Sequence, residues 1–560
     1  MSRNAESHFS QTPEVDVRRS RFERPFNHKF TFNVGDLVPF FWTPIMPGDT
    51  VSMTTSKVVR MSTLLDPVMD NLYLDCYYFF IPWRLVWTHT KEFFGENSSG
   101  PWAPSTTYTF PRIKTTGGSG TNDVVRPQTV ADYMGIPVGV TNLYFNALPI
   151  RSYDLVYDEW FRDQNTQSPG TLYHGDSDVT YSAGSVSEGG IPYKACKLHD
   201  FFTAGLPSPQ RGPAVQLPLS GTIPVSLGGS VANVTVNATT IHSLGGNLRL
   251  QGDSRSSQGT MLETNIADSD GLRETYIGPP TASGKSPITY SNLQVAWPST
   301  VTANLSGASP ITVSDLRMAF QMQKWYERAA LYGGRYTEYL HAFGVSPPDA
   351  SLQRSEYLGG NRIPINVQQV EQTAPTTGQS LGHLGAYSAT SDVNEDFTRS
   401  FSEWGILLGV CCARYTHTYS QGMEKFWSAT DRFSVYDPLF ANLSNMPIFE
   451  KEIYATGTSS DDNVFAYQEA WAEYRYHPDR VSGYMRPGIS GSLSSWHYAD
   501  YYTSAPTLSS GWIQEDKAMV DRTLAVTSAT APQMIADFRC NGVFVRPMPL
   551  YSVPGLIDHH

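Results

Sequence analysis

The chain has 560 residues, of which 12% are aromatic and only 16% charged, against the roughly 25% charge usual in soluble domains. Its net charge of −12 argues against a general nucleic-acid binder, and its five cysteines (Cys76, Cys196, Cys411, Cys412, Cys540) show no metal or redox spacing. So little charge commits little surface to water, as expected of a chain that buries area between subunits, or of one with a large core.

A chain of this length ordinarily splits into several domains, because single cores stop growing at ~250–300 residues. No run of Gly/Ser, Pro or charge marks a linker, which weakens any count based on length. The start, Met1-Ser-Arg-Asn-Ala-Glu6, is polar and carries no signal-peptide pattern. The longest strongly apolar run, residues 405–413, is nine residues long, far below the ~20 that span a bilayer. No membrane insertion is expected, and the cysteines read as buried small hydrophobes in a reducing cytoplasm.

Residues 1–30 read as a basic N-terminal arm, with Arg18, Arg19, Arg21, Arg24 and Lys29 set against Glu23 alone between 17 and 30. A short basic arm on an acidic body suits phosphate contact at one face. A solvated tail is the plainer alternative. Further on, Val51, Met53, Val59 and Met61 share one parity with Thr55 and Lys57 between them, the pattern of a strand with one partly wet face. Residues 71–81 are apolar on both parities except Asp75, which predicts a strand buried on both sides. Pro82 ends it, and residues 83–94 then read as a short helix stopped by Gly95.

No phenylalanine occurs between Phe202 and Phe320. Residues 217–310 are rich in Ser, Thr, Gly, Asn and Pro and read as a solvent-facing insertion. After it, Thr312-Val-Ser-Asp315 opens the one convincing helix, whose stop is Gly333-Gly334. A second helix is expected over residues 335–343. Residues 404–419 form another long strand candidate, with Trp404, Ile406, Leu408 and Val410 on one face. Gly405 and Gly409 on the other face permit close backbone approach. Adjacent Cys411 and Cys412 point to opposite sides of such a strand. Many short strands, few helices and long loops indicate an all-β sandwich with insertions.

Residues 546–560 close the chain. Pro547, Pro549, Pro554 and Gly555 forbid a helix there. Met548, Leu550, Tyr551, Val553, Leu556 and Ile557 nevertheless make the segment too apolar for a solvated tail. An extended apolar terminus of this kind reads as an assembly arm, laid on its own domain or on a neighbouring subunit.

The signs of catalysis are weak. Residues 279–286 imitate a phosphate-binding loop, but Pro279 stands where the pattern needs glycine. No His-Glu-x-x-His or Gly-x-Ser-x-Gly motif occurs. Glu469 and Glu473 flank Trp471, a pattern compatible with a sugar-cleaving carboxyl pair and just as readily a chance pair beside core aromatics. Neither a catalytic residue nor a cofactor or metal is expected.

Several separated blocks resemble, in order, the major capsid proteins of the gokushoviruses, small non-enveloped single-stranded DNA viruses of the Microviridae that infect bacteria. These blocks are Phe41-Trp-Thr-Pro-Ile-Met-Pro-Gly-Asp-Thr50, Asp66-Pro-Val-Met-Asp-Asn71, Pro82-Trp-Arg-Leu-Val-Trp87, Phe320-Gln-Met-Gln-Lys324, Ser346-Pro-Pro-Asp-Ala350, Glu356-Tyr-Leu-Gly-Gly360, Tyr474-Arg-Tyr476 and the tail itself. The resemblance implies a single eight-stranded jelly roll of the viral capsid type, with long loop insertions and a few short helices. It divides the chain into the arm (1–30), a first part of the roll (31–216), a protrusion (217–310), the remainder (311–545) and the C-terminal arm (546–560). Residues 96–130 and 160–195 are further candidates for the protrusion.

By the same resemblance, copies close into the smallest kind of icosahedral shell (T=1) around circular single-stranded DNA. The resemblance also implies that the genome is packaged with a separate small basic DNA-binding protein, that other virion proteins are partners, and that the capsid is assembled in the host bacterial cytoplasm. The protrusion is expected to attach to a host receptor of unknown identity. The alternatives are a carbohydrate-binding or carbohydrate-cleaving β-sandwich protein and a phage tail or adhesin protein.

Overall fold

The computed structural model describes residues 18–96, 107–116, 123–215, 266–268, 271–273, 313–374 and 381–551. The chain divides into two units, 214–322 on the one hand and 1–213 with 323–560 on the other. The described part of the smaller unit holds a short antiparallel ladder, Ile266–Asp268 with Gly271–Arg273, and the first turns of helix α2 (Val313–Tyr332). The insertion read at 217–310 and the loop-like sequence at 279–286 otherwise lie outside the described residues.

The larger unit is built on two four-stranded antiparallel sheets. Their strands are β1 (Ser20–Phe32), β2 (Val38–Ile45), β3 (Thr50–Met61), β4 (Leu72–Pro82), β5 (Glu356–Pro364), β6 (Thr390–Ser400), β7 (Gly405–Tyr415) and β8 (Met534–Arg546). The first sheet runs β1-β8-β3-β6 and the second β5-β4-β7-β2. The first four strands therefore alternate between sheets, and the last strand inserts between β1 and β3. This is the connectivity of a jelly roll, the all-β fold class expected from the sequence. The helices are few, and most are single turns.

The inward parities interdigitate as one core. Phe32, Val51, Met53, Leu74, Leu407, Cys411 and Phe538 are buried there. Phe40 of β2 meets Phe538 of β8 edge-on at 5.0 Å and Tyr78 of β4 at 5.4 Å, in the offset geometry that aromatic rings prefer. Thr55 and Lys57 correct the expectation of a partly wet face, because both are buried inside the sandwich. Thr55 Oγ1 bonds Tyr78 OH at 2.7 Å and Asp396 Oδ2 at 2.5 Å, while Lys57 Nζ reaches Asn361 Oδ1 and lies 3.6 Å from Asp392. Polar groups survive between the sheets because each has a partner.

The outer face of the second sheet is dry as well. Phe79, Ile81, Ile406, Leu408, Val410 and Cys412 form a second core with residues from the 83–196 segment, among them Trp87, Val130 and the wholly buried helix α1 (Leu148–Val156). Tyr153 of α1 donates its hydroxyl to Leu37 O at 2.7 Å and fixes the helix to the sheet edge. Cys411 and Cys412 thus serve different cores. Gly409 sits where a Cβ would come within 2.8 Å of Phe40 and 3.0 Å of Tyr78, so the close approach expected of it is real. By contrast, the outward positions of β3 are Thr50, Ser52, Thr54, Ser56, Val58 and Arg60, none of them buried.

Two element boundaries differ from the sequence reading. Residues 83–94 form two single turns, Trp83–Val86 and Thr90–Phe93, rather than one helix. Trp87 adopts extended backbone between them so that its ring enters the second core and its Nε1 donates to Asp176 Oδ1 at 2.6 Å. Strand β7 stops at Tyr415, not at 419. Beyond it the chain pairs with Asp500 through Tyr419 and joins a third buried cluster around Phe202, Ile453, Phe465 and Trp512.

Candidate functional site

Residues 20–30, read from sequence as part of an arm, are most of strand β1. They pair residue for residue with β8, from Ser20 opposite Arg546 to Phe32 opposite Met534. Strand parity then scatters the basic cluster. Arg18 and Arg19 precede the strand and are exposed. Arg21 pairs with Glu23 at 3.2 Å on the outward side, and Lys29 lies 3.4 Å from Asp537 directly across the ladder. Arg24 turns the other way, donates to Thr43 Oγ1 at 3.1 Å and covers the Phe544 ring at 5.0 Å. The five cations do not form one surface, and three of them already have a named partner.

The C-terminal residues divide in a similar way. Arg546 is the last residue of β8, and its Nε lies 3.2 Å from Asp49 Oδ2 while its Nη2 donates to Pro44 O at 3.0 Å. Asp49 is fully buried in the Pro47-Gly48-Asp49-Thr50 turn, where Gly48 takes φ +86°. Its Oδ2 also accepts the Met46 amide at 3.0 Å. Burial pushes the Asp49 carboxyl up, and the Met46 amide and the Arg546 guanidinium work against that push. Past Arg546, Met548, Leu550 and Tyr551 are exposed. Val553, Leu556 and Ile557 lie outside the described residues.

Two buried charge clusters escaped the sequence reading. Asp75, noted there only as an exception in an apolar strand, faces the second core. Arg362 reaches it through Nε at 2.5 Å and Nη2 at 3.0 Å, and Arg414 through Nε at 2.9 Å and through Nη2. Arg414 also donates to Tyr77 OH and Cys196 O, so one carboxylate ties β5, β4 and β7 to the 196 segment. The second cluster is His417 with Asp500 and Glu515, at 2.8 and 3.1 Å. No spacing in the sequence marks it, because its members come from three distant segments.

The carboxyl pair around Trp471 is spent on other work. Glu469 bonds Arg475 at 2.6 Å and Glu473 lies 4.0 Å from Lys425. Trp471 is itself buried and donates to Phe440 O at 3.0 Å, so it offers no open face on which a sugar ring could stack. Among the described residues no three His, Cys, Asp or Glu side chains group as metal ligands, and no helix is long and apolar enough to cross a membrane.

The family described as "Capsid protein (F protein)" matches residues 10–556. The chain is 38% identical to the capsid protein VP1 of Spiroplasma virus 4, covering 99% of this chain and 98% of that protein. It is 36% identical to capsid protein VP1 of Bdellovibrio phage phiMH2K, with the same coverage, and 34% identical to that of Chlamydia phage 1 over 98% and 97% of the two chains. The chain belongs to this family of phage capsid proteins.

Proposed function

From that membership, which makes the chain a structural capsid protein and a component of the virion, we propose that its copies close into a small icosahedral shell around a circular single-stranded DNA genome. The jelly roll supports this reading most directly. Its second sheet is roofed by the chain's own 83–196 segment, while the outward positions of the first remain uncovered, so a subunit presents one broad bare sheet face. In this proposal shell formation takes place in the host bacterial cytoplasm. The genome is neutralised by a small basic protein together with Arg18 and Arg19, and other virion proteins complete the particle. Residues 217–310 form the surface protrusion that attaches to the host. Co-expression with the basic protein, followed by light scattering and nuclease digestion, tests the proposal. Uniform megadalton-scale particles holding protected circular single strands are expected. A chain that stays monomeric under every such condition overturns it.

A further inference from the structure

The side chain of Lys57 points inward from β3 and is wholly enclosed, with none of it exposed. An ammonium is costly to bury unless it is paired and hydrogen-bonded. Within its sheet Lys57 stands between Phe538 of β8 and Asp392 of β6. Across the sandwich lies Asn361 of β5, opposite the buried Cys76 of β4. Strands β5 and β6 are edge strands of their two sheets, and Asn361 Nδ2 bridges them by donating to Asp392 Oδ2 at 2.7 Å. The Asp392 side chain is 28% exposed, so this edge of the sandwich opens to water on its side.

The three polar groups are arranged as a reaction centre. Lys57 Nζ donates to Asn361 Oδ1, so the amide carbon is one bond beyond the atom that the amine already touches. Asp392 Oδ2 lies 3.6 Å from Nζ and also holds Asn361 Nδ2. One carboxylate oxygen thus faces both the nitrogen that would have to lose a proton and the nitrogen that would have to gain one. That is the position of a general base that later acts as general acid. Asp396, also near Lys57, is taken up by Thr55 Oγ1 and Asn394 Nδ2. An amine and a carboxamide free in water exchange very slowly, but well-oriented groups in one molecule reach effective molarities of ~10⁵–10⁸ M.

We propose that Lys57 and Asn361 form an isopeptide bond, a covalent cross-link between the two sheets of the roll. Asp392 takes a proton from the Lys57 ammonium, the free amine adds to Asn361 Cγ, and Asp392 passes the proton to Nδ2. The Nζ–Cγ bond forms, the Cγ–Nδ2 bond breaks, and the two protons shed by Nζ leave with Nδ2 as ammonium through the open edge. No oxidant or reductant takes part. All five cysteines are free, and this bond gives the sandwich a covalent tie by other chemistry. The inference stands apart from shell formation.

Mass spectrometry of the full-length chain, purified in its folded form, tests the bond. The intact mass is expected to fall short of the sequence mass by about 17 Da, the mass of one ammonia. Digestion should release a branched peptide that joins the segment holding Lys57 to the segment holding Asn361. An intact mass equal to the sequence mass overturns the proposal. So does the same deficit with the two peptides recovered unlinked, because an asparagine that closes on its own backbone also loses ammonia. Asp392→Asn leaves the amine and the amide in place but removes the proton carrier. It should keep the wild-type circular dichroism while showing the sequence mass of the variant and no branched peptide. Cross-linking of this variant to the wild-type extent overturns the role given to Asp392. Should the variant misfold, the peptide map of the unmodified chain decides.

Discussion

The imidazole Nδ1 of His417 sits 2.8 Å from Asp500 Oδ2, an ion pair sealed from solvent just past the end of β7. Its other nitrogen faces Glu515 Oε1 at 3.1 Å, and the three side chains join segments far apart in the chain. Burial pulls the imidazole pKa down, but Asp500 and then Glu515 outweigh it and hold it up at about 9. Asp500 is held below the ordinary carboxylate range, with burial opposed by His417.

A pH dependence of stability follows from these shifts. The folded-state pKa of His417 lies above its unfolded value of ~6.5, so its contribution is full below ~6.5 and is lost as pH rises through about 9. Asp500 acts oppositely, contributing above ~3.9 and losing that contribution as acid titrates the folded state. The cluster should be at its strongest between ~4 and ~6.5. Denaturant midpoints of the full chain should fall between pH 6.5 and 9.5 by the equivalent of about 3 kcal/mol. His417→Gln should be less stable at pH 6 and flat over that range. An equal slope in the variant rules out this origin.

Among the described residues, Asp75 is the carboxylate that both Arg362 and Arg414 pair with beside the second core, with only 1% of its side chain exposed. Asp75→Asn keeps the shape and part of the hydrogen bonding but leaves Arg414 as a buried, uncompensated guanidinium. Removing one partner of a buried pair costs about 3–5 kcal/mol, so both Asp75→Asn and Asp75→Ala should melt far below wild type. A double variant with apolar groups at 75 and 414 should recover part of the loss, since well-packed hydrophobes replace such pairs at little cost. Near-wild-type melting of Asp75→Ala would show that the charges are compensated in some other way.

The architecture was legible where apolar parity is strong. The doubly buried strand around Asp75, the faces of β7 and the helix stop at Gly333 (φ +91°) all follow from local periodicity and backbone sterics. Legibility failed where tertiary partners override local composition. Thr55 and Lys57 look wet in a strand pattern, yet Tyr78, Asp392 and Asp396 are waiting for them across the sandwich. The basic segment reads as one arm when sequence neighbours are taken to share a surface. A strand sends alternate residues to opposite faces, and β8 supplied both the pairing strand and Asp537 from more than 500 residues away.

That division gives a graded expectation for the arginines. Arg21→Gln removes only an exposed ion pair and should leave stability within about 0.5 kcal/mol of wild type. Arg24→Gln loses the Thr43 hydrogen bond and the stacking on Phe544 and should cost about 1–2 kcal/mol. Under the proposed function, genome contact is assigned to Arg18 and Arg19, and their joint replacement by Gln should flatten the log–log salt dependence of single-strand binding by roughly 1.4. Equal effects on binding from Arg24 and from the Arg18/Arg19 pair would restore the picture of a single basic arm.

The C-terminal segment should separate folding from assembly at a defined residue. Arg546 belongs to the fold, because it covers Asp49, whose carboxylate is fully buried in the β2–β3 turn. Arg546→Gln should therefore destabilise the subunit by about 1.5–3 kcal/mol, the worth of a hydrogen bond to a charged group. Residues from Pro547 onward should behave differently, since Met548, Leu550 and Tyr551 are exposed on the subunit. Ordering an extended segment costs about 1–2 kcal/mol per residue, and burying a large apolar side chain returns only ~1.5–3 kcal/mol. The segment should hold firmly only on a preformed groove, such as a neighbouring copy provides. Truncation after Arg546 should thus leave circular dichroism and melting unchanged while particle yield in sedimentation falls at least several-fold. A truncated chain that melts early would place the tail in its own subunit's core, and one that assembles normally would remove it from the contacts that close the shell.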